Sequence, residues 1–255
     1  MRTSPRYRAA FIAAGIHFIC SAVVAGLAAG LVFGMWYPYP YRELAGGREL
    51  FLLVVAVDVV CGPLLTAVLF NPAKSREELW RDLSLVAVIQ LIALSYGLHT
   101  VWQARPLFLA HEVDRFVVIA AVDVDPAALA ALSLDLKPRW TSGPLVIALR
   151  DPIDSNERNK VLMESAMGAR DYSARPEFYL PYSGANARKS LTRARPLAVF
   201  LQKQPSQQAA AIELAREKGV DIAHWLYLPV TSRQDWVAVI DNTGQIQGFL
   251  KGDGF

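Results

Sequence analysis

Three long apolar runs in the first two-fifths of the 255-residue chain constrain its fold more than any other feature. They extend over about residues 9–37, 50–70 and 83–102. A helix needs about 20 predominantly apolar residues to cross the hydrocarbon core of a bilayer, so each run is long enough to span it. The first run also exceeds the apolar core of a cleavable signal peptide, which is roughly 7–15 residues long. The sequence therefore predicts a membrane protein with three uncleaved transmembrane helices, and it excludes a wholly soluble enzyme.

Charged residues are distributed unevenly and divide the chain into two predicted domains. Residues 1–104 hold 8 Lys or Arg and 6 Asp or Glu, whereas residues 105–255 hold 18 and 17. The whole chain is 53% hydrophobic and only 19% charged, which is more apolar than a typical soluble protein. Its net charge of +3 is small and dispersed and gives no indication of nucleic-acid binding. We expect a transmembrane domain over residues 1–104 and a soluble domain over residues 105–255.

Basic residues beside the apolar runs predict the orientation of the chain, because cytoplasmic loops are enriched in Lys and Arg. The N-terminal flank and the loop between the second and third runs each carry three basic residues, and the loop between the first and second runs carries two. In that order they are Arg2, Arg6 and Arg8; Lys74, Arg76 and Arg81; and Arg42 and Arg48. This bias predicts a cytoplasmic N-terminus and a C-terminal domain on the opposite side of the membrane, which in a bacterium would be the periplasm. Aromatic residues at the outer end of the first run fit an interfacial belt, and they are Trp36, Tyr37, Tyr39 and Tyr41.

Three polar side chains inside the apolar runs are candidate functional groups, because such residues are costly in the hydrocarbon core. They are His17, Asp58 and Gln90, and their depths along the helices allow a hydrogen-bonded cluster. Asp58 has two interpretations. It either packs helices together, protonated or bonded to His17 or a hydroxyl, or it recognises a partner or handles protons. Gly62 and Pro63, one turn further on, permit a kink and a close approach of helices.

From residue 104 onward, the pattern predicts a mixed α+β domain that ends in a β-hairpin or meander. Apolar runs around a polar stretch predict a hairpin near its start, and the Asp-Asn-Thr-Gly turn at 241–244 predicts another near its end. Ser155 is the expected cap of the second of three helices. The predicted strands cover residues 107–109, 116–119, 145–149, 225–230, 236–240 and 246–250, and the predicted helices cover 127–132, 155–167 and 207–218.

The soluble domain shows no motif of known catalytic chemistry. It contains no nucleophile-elbow, zinc-protease or phosphate-binding-loop pattern. We therefore expect no catalytic residue, no cofactor and no metal site. His111 and His224 lack a neighbouring ligand pattern and are predicted to be surface or packing residues.

Two neighbouring features of the soluble domain are candidate partner contacts. An aromatic segment near residue 180 predicts either an exposed contact loop or part of the domain core. The basic stretch after it is either a solvated face or a patch for an acidic protein surface, a glycan or anionic headgroups. The candidate contact residues are Phe178, Tyr179, Tyr182, Arg188, Lys189, Arg193 and Arg195.

Several motifs resemble the TfpX/TfpZ family of type IV pilin accessory proteins. The resemblance extends over essentially the whole chain and is densest in the membrane part. The motifs are Trp-Tyr-Pro at 36–38, Glu-Leu-Ala-Gly-Gly at 43–47, Asp-Val-Val-Cys-Gly-Pro-Leu-Leu-Thr at 58–66, Phe-Asn-Pro at 70–72, the segments 90–97 and 103–106, and Asp-Trp-Val-Ala-Val-Ile-Asp at 235–241 with Gly244 and Gly248.

This resemblance implies a chaperone-like inner-membrane factor, not an enzyme, that promotes assembly or maintenance of a type IV pilus. Its implied partners are the pilin, which it would contact in the membrane and the periplasm, other pilus assembly proteins and the lipid bilayer. Pilins carry one apolar helix with a buried glutamate, to which His17 or Gln90 would offer a hydrogen bond. Two alternatives stay open. One is a membrane-anchored ligand-binding sensor or transport subunit, and the other is an enzyme that modifies pilins or envelope glycans with acids of the outer face, namely Glu43, Glu49, Glu112 and Asp114.

Overall fold

The chain folds into two compact units, one helical and one mixed, in a computed structural model that describes residues 5–139, 141 and 143–255. The first unit contains the chain up to Pro38 and then Gly47–Gln103, and the second contains Tyr39–Gly46 and Ala104–Phe255. Arg2, one of the basic residues behind the predicted orientation, lies outside the described residues.

Three long helices form the first unit. They are α1 (Pro5–Leu31), α3 (Gly47–Leu69) and α4 (Arg76–Gln103), whereas the short α2 (Tyr41–Leu44) belongs to the second unit. A π-helical turn at Val32–Trp36 extends α1. By length and composition, each of the three helices is able to cross a membrane. The predicted N-terminal bundle of three transmembrane helices is therefore confirmed.

The helix α3 is the central helix of this unit. It packs against both α1 and α4, whereas α1 and α4 make few contacts with each other in the described chain. Glycines permit the close approach of α3 and α4. A Cβ on Gly97 would lie 2.4 Å from Val54 Cγ1, and one on Gly62 would lie 2.1 Å from Gln90 Nε2. The prediction that Gly62 allows close helix packing agrees with this arrangement.

Two aromatic residues near the end of α1 pack inside protein. The Tyr37 ring is fully buried, and its hydroxyl donates a hydrogen bond to the Val101 carbonyl oxygen at 3.0 Å. Gly47 lies directly against this ring, since a Cβ there would be 2.2 Å from Tyr37 Cδ1. Tyr41 is buried in the core of the second unit, whereas Tyr39 is exposed. The predicted aromatic belt is therefore wrong for Tyr37 and Tyr41, because protein encloses both rings.

An eight-stranded mixed sheet forms the frame of the second unit. The strands are β1 (Pro106–Glu112), β2 (Arg115–Ala120), β3 (Leu145–Leu149), β4 (Tyr179–Pro181), β5 (Arg195–Pro196), β6 (Leu226–Thr231), β7 (Trp236–Ile240) and β8 (Ile246–Lys251). Seven of them follow the order β4-β3-β1-β2-β6-β7-β8, and β5 pairs with β6 beside this path. The pairs β1–β3 and β2–β6 are parallel, and the others are antiparallel.

Five further α-helices of the described chain pack around this sheet. These helices are α5 (Pro126–Ala131), α6 (Ser155–Ala166), α7 (Gly184–Arg188), α8 (Leu197–Lys203) and α9 (Gln208–Lys218). The predicted α+β fold is therefore confirmed, and β6, β7 and β8 form its predicted terminal meander. One local prediction is wrong. The cap of α6 is Asp154 and not Ser155, because the Asp154 carboxylate accepts a hydrogen bond from the Glu157 amide at 2.7 Å.

The strand β7 is buried on both faces, and α2 covers one of them. Val237 and Val239 pack in a cluster with α8 and α9, whereas Trp236, Ala238 and Ile240 pack in a cluster with α2. This alternation follows from the two-residue period of a strand. Residues 39–46, which the sequence assigned to the transmembrane domain, thus share a core with the chain after residue 104. The two segments must therefore lie on the same side of any membrane that the three helices cross.

Candidate functional site

A cavity of about 210 Å³ lies in the helical unit, and all three intramembrane candidates line it. His17 comes from α1, Asp58 from α3 and Gln90 from α4. Each helix therefore contributes one of the three candidates. Small residues make up much of the remaining wall, including Ser21 and Ala25 on α1.

Two of these three side chains are engaged in hydrogen bonds. His17 Nδ1 and Thr66 Oγ1 are 2.6 Å apart, and Thr66 is only 2% exposed. Gln90 Nε2 donates to the backbone carbonyl oxygen of Asp58 at 2.9 Å. His17 and Gln90 therefore hold α1 and α4 to α3.

The carboxyl group of Asp58 is the unsatisfied member of the cluster. Asp58 is 8% exposed, and its Oδ1 atom has no hydrogen-bond partner among the described residues. A buried polar atom without a partner costs free energy, because burial removes its hydrogen bonds to water and nothing replaces them. Among the described residues, Asp58 is thus the one of the three intramembrane candidates with a buried side-chain atom that has no hydrogen-bond partner.

The aromatic segment near residue 180 lies largely in the core of the second unit. Phe178 is 1% exposed, and the Arg150 guanidinium lies 4.3 Å above its ring centroid. Tyr179 is 5% exposed and donates a hydrogen bond to the Ser173 carbonyl oxygen at 2.9 Å, and burial raises the pKa of its hydroxyl. Of the two interpretations of this segment, the structure thus matches the core, and Phe178 and Tyr179 offer no surface for a partner.

Tyr182, the third aromatic candidate, closes contacts inside the second unit. It is partly buried, and its hydroxyl donates to the Gly244 carbonyl oxygen at 2.5 Å and lies 3.2 Å from Ser190 Oγ. Burial raises the pKa of Tyr182 to about 12. These contacts tie the start of α7 to the β7–β8 turn.

The four basic candidates that follow are all exposed. Lys189 Nζ forms an ion pair with Asp151 at 3.3 Å, and Arg195 Nη1 donates to the Gly254 carbonyl oxygen at 3.4 Å. Arg188 and Arg193 are exposed on the same stretch of chain. The four basic side chains are therefore accessible at the surface, whereas the neighbouring Phe178 and Tyr179 are buried.

His111 is buried against aromatic rings in the second unit. It is 7% exposed and packs against Phe116 and Tyr182, with ring centroids 5.5 and 6.3 Å away. Burial and the positive charge of Lys189 lower the pKa of His111 to about 4, although the negative charge of Asp114 has a smaller effect in the opposite direction. The ring is therefore neutral at pH 7. The structure thus places His111 among packing residues, one of the two environments predicted for it.

Of the four acids considered for an enzyme, Asp114 is paired with Arg115, and Glu49 belongs to the first unit. Arg115 Nε donates to Asp114 at 2.8 Å, and this bond, despite partial burial, holds the pKa of Asp114 below its usual range. In the described part of the chain, no three His, Cys, Asp or Glu side chains are grouped to hold a metal ion.

Comparison with known proteins places this sequence in a family. A family model described as fimbrial assembly protein FimB matches residues 5–46, which include α1 and α2. The fimbrial assembly protein of Dichelobacter nodosus serogroup I is 34% identical over 94% of both chains, and that of serogroup E1 is 33% identical over the same shares. The protein of serogroups C1 and C2 is 44% identical over 43% of this chain and 84% of its own length. No solved structure matches the chain.

These comparisons support the assignment of this chain to a fimbrial assembly family. The narrower assignment to the TfpX/TfpZ family, which the motifs suggested, stays a prediction. The similarity to the serogroup I and E1 proteins covers the helical unit and the mixed unit alike, since it extends over 94% of the chain. This protein therefore belongs to the FimB family of fimbrial assembly proteins.

Proposed function

We propose that this protein is an accessory factor for type IV pilus assembly that contacts the pilin in the membrane and through its soluble unit. The observation that carries the proposal is the 34% identity, over 94% of both chains, to a protein named for fimbrial assembly. The architecture supports it. A pilin has an apolar helix and a globular head, so a factor with both a membrane unit and a soluble unit could contact both parts of it.

The proposed location is the bacterial inner membrane, with the N-terminus in the cytoplasm and the soluble unit in the periplasm. Basic residues on the predicted cytoplasmic side support this orientation, among them Arg6, Arg8 and Arg81. The shared core of residues 39–46 and 104–255 supports an even number of crossings between these segments, and a further crossing by α1 makes three before the C-terminal part of the soluble unit.

We propose a role in assembly and not in chemical modification. The relatives are named for assembly, and the acids considered for catalysis include Asp114, which is already paired with Arg115. The exposed basic stretch at 188–195 is the proposed contact for the pilin head, since Arg188, Lys189, Arg193 and Arg195 present positive charge there.

A deletion strain tests the proposal. Surface pili and total pilin are measured in the same cells, with the wild-type gene restored as the control. We expect loss of surface pili that is restored by complementation, and the proposal is wrong if piliation is unchanged by the deletion.

A photocrosslinker tests the contact itself. It replaces Arg188 in the basic stretch or, as a control, the exposed Lys218 at the end of α9. Pilin adducts from position 188 but not from position 218 are expected. If position 188 yields no pilin adduct while assembly still depends on the protein, contact through the basic stretch is refuted.

A further inference from the structure

The helical unit has an open side between α1 and α4. Both helices pack on α3, but they make few contacts with each other in the described chain. The cavity with Asp58 lies between them, with walls from α1 and α4 and a floor from α3. Val24 and Leu91, on opposite walls, are 44% and 61% exposed, so the space is accessible from the surroundings of the unit.

This groove has the form that another helix fills. Helices pack with their axes about 8–10 Å apart, and a helix laid on α3 between α1 and α4 would complete a four-helix bundle. Association in lipid depends on close packing and hydrogen bonds, because lipid tails are as apolar as the helix surface. Small side chains favour such an approach, and the walls present Ser21, Ala25 and Ala87.

Asp58 restricts which helix fits. Its Oδ1 atom is buried without a partner in the described chain, while Gln90 is already bonded to the Asp58 backbone. A lipid tail brings no hydrogen bond to this atom, and neither does a helix that is apolar throughout. The arrangement therefore favours an occupant with a hydrogen-bond donor at the depth of Asp58.

We propose that the groove between α1 and α4 binds one transmembrane helix of a partner protein, whose polar side chain donates a hydrogen bond to Asp58. The inference rests on the proposed function for the identity of the natural partner, which would be the pilin. Asp58 is then the recognition residue of the membrane unit, and His17 and Gln90 position the helices that form the groove.

A designed helix tests the groove without the pilin. The probe is a single-span helix of leucine and alanine with one central asparagine, and the matched control has leucine at that position. Each is produced in cells with the full-length protein, which carries a photocrosslinker at Leu91 or at Leu85. These two positions on α4 are 61% and 60% exposed, but only Leu91 lines the cavity.

We expect about 3- to 20-fold more adduct with the asparagine helix than with the leucine helix at position 91, and no such preference at position 85. Asp58→Leu should abolish the preference, Asp58→Asn should retain most of it, and Cys61→Ala on the same helix should leave it unchanged. Ala87→Leu gives a second route, because it narrows the groove and should reduce adducts while Asp58 stays in place.

The proposal is overturned by equal adducts with both probes, by equal adducts from positions 91 and 85, or by adducts only between copies of this chain. This result is independent of the deletion test. A preference for the asparagine helix with unchanged piliation would keep the groove and reject the pilus role. If the deletion abolished piliation but the asparagine helix were not preferred, the pilus role would stand and the groove would be rejected.

Discussion

The helix α2, only four residues long, gives a quantitative test of the fold. Leu44 is fully buried in the cluster that contains Phe116, Leu228 and Ala238 of the sheet. Replacing a buried leucine by alanine removes apolar contacts and leaves a cavity, at a cost of about 2.7–5 kcal/mol. Because Leu44 lies at 0% exposure, we expect Leu44→Ala to destabilise the second unit by about 3 kcal/mol.

Hydrogen exchange of the full-length protein in detergent measures this effect. Amides in β6 and β7 exchange through opening of the unit, so a loss of about 3 kcal/mol should accelerate their exchange about 100-fold. Arg42→Ala is the matched control, since Arg42 lies on the same short helix but is exposed, and it should change stability by less than about 0.5 kcal/mol. Exchange in β6 and β7 within about threefold of the wild-type rate in Leu44→Ala would refute the packing of α2 on the sheet.

Three further predictions concern the second unit. Gly244→Ala should destabilise it by at least about 2 kcal/mol in thermal unfolding, because φ is +84° and a Cβ would lie 2.2 Å from the Ala187 carbonyl oxygen. The control is Gly219→Ala, which should cost only about 1 kcal/mol, because φ is +65° there but no atom lies near the added Cβ. The pKa of His111 is lowered to about 4, so its stabilising contribution is complete above pH 6.5 and falls, by at most about 3 kcal/mol, as the pH drops to 4. Denaturant unfolding from pH 7 to 4 should show this decline, and His111→Gln should remove it. The pKa of Glu157 is lowered to about 2 by hydrogen bonds from Arg150, so its contribution is complete above pH 4.5 and is lost as the pH falls towards 2. Urea midpoints at pH 5 and pH 3 should therefore differ less in Glu157→Gln than in the wild type, and equal differences would contradict this explanation.

Elements with a local chemical signal could be predicted from the sequence. Asp125 accepts hydrogen bonds from the amides of Ala127 and Ala128, with Pro126 at the first helical position, as the Asp-Pro pair indicates. In the β7–β8 turn, Asp241 Oδ1 accepts from the Thr243 and Gln245 amides, and Gly244 adopts a positive φ. In each case, residues within four positions of one another determine the conformation.

Features that depend on distant contacts could not be predicted in the same way. Nothing within four residues of α2 indicates that its buried side chains meet strands more than 60 residues later. The aromatic residues at 178 and 179 suit a core and a contact surface equally well, and only packing against Arg150 and Phe108 distinguishes the two.

The grouping of the three intramembrane polar residues could be predicted in part, because polar residues in apolar runs are conspicuous. The sequence located His17, Asp58 and Gln90 and allowed them to form one cluster. The family resemblance offered His17 or Gln90 as the donor to a pilin glutamate, and partner recognition was one of the two interpretations of Asp58. In the structure His17 and Gln90 are both engaged in hydrogen bonds and Asp58 Oδ1 has no partner among the described residues, a distinction that depends on side-chain geometry across three helices.

The packing of α2 on the sheet also makes correct membrane insertion a condition for folding. Residues 39–46 are synthesised before any strand, and they must already lie on the side of the membrane to which residues 104–255 are later delivered. If α3 or α4 failed to cross, the two segments would face opposite compartments, and the cluster of Leu44 and Tyr41 with β6 and β7 could not form. A misinserted chain would then expose the apolar face of its sheet, which is the kind of surface that chaperones and membrane proteases recognise. The soluble fold thereby acts as a built-in check on the topology of the helices that precede it.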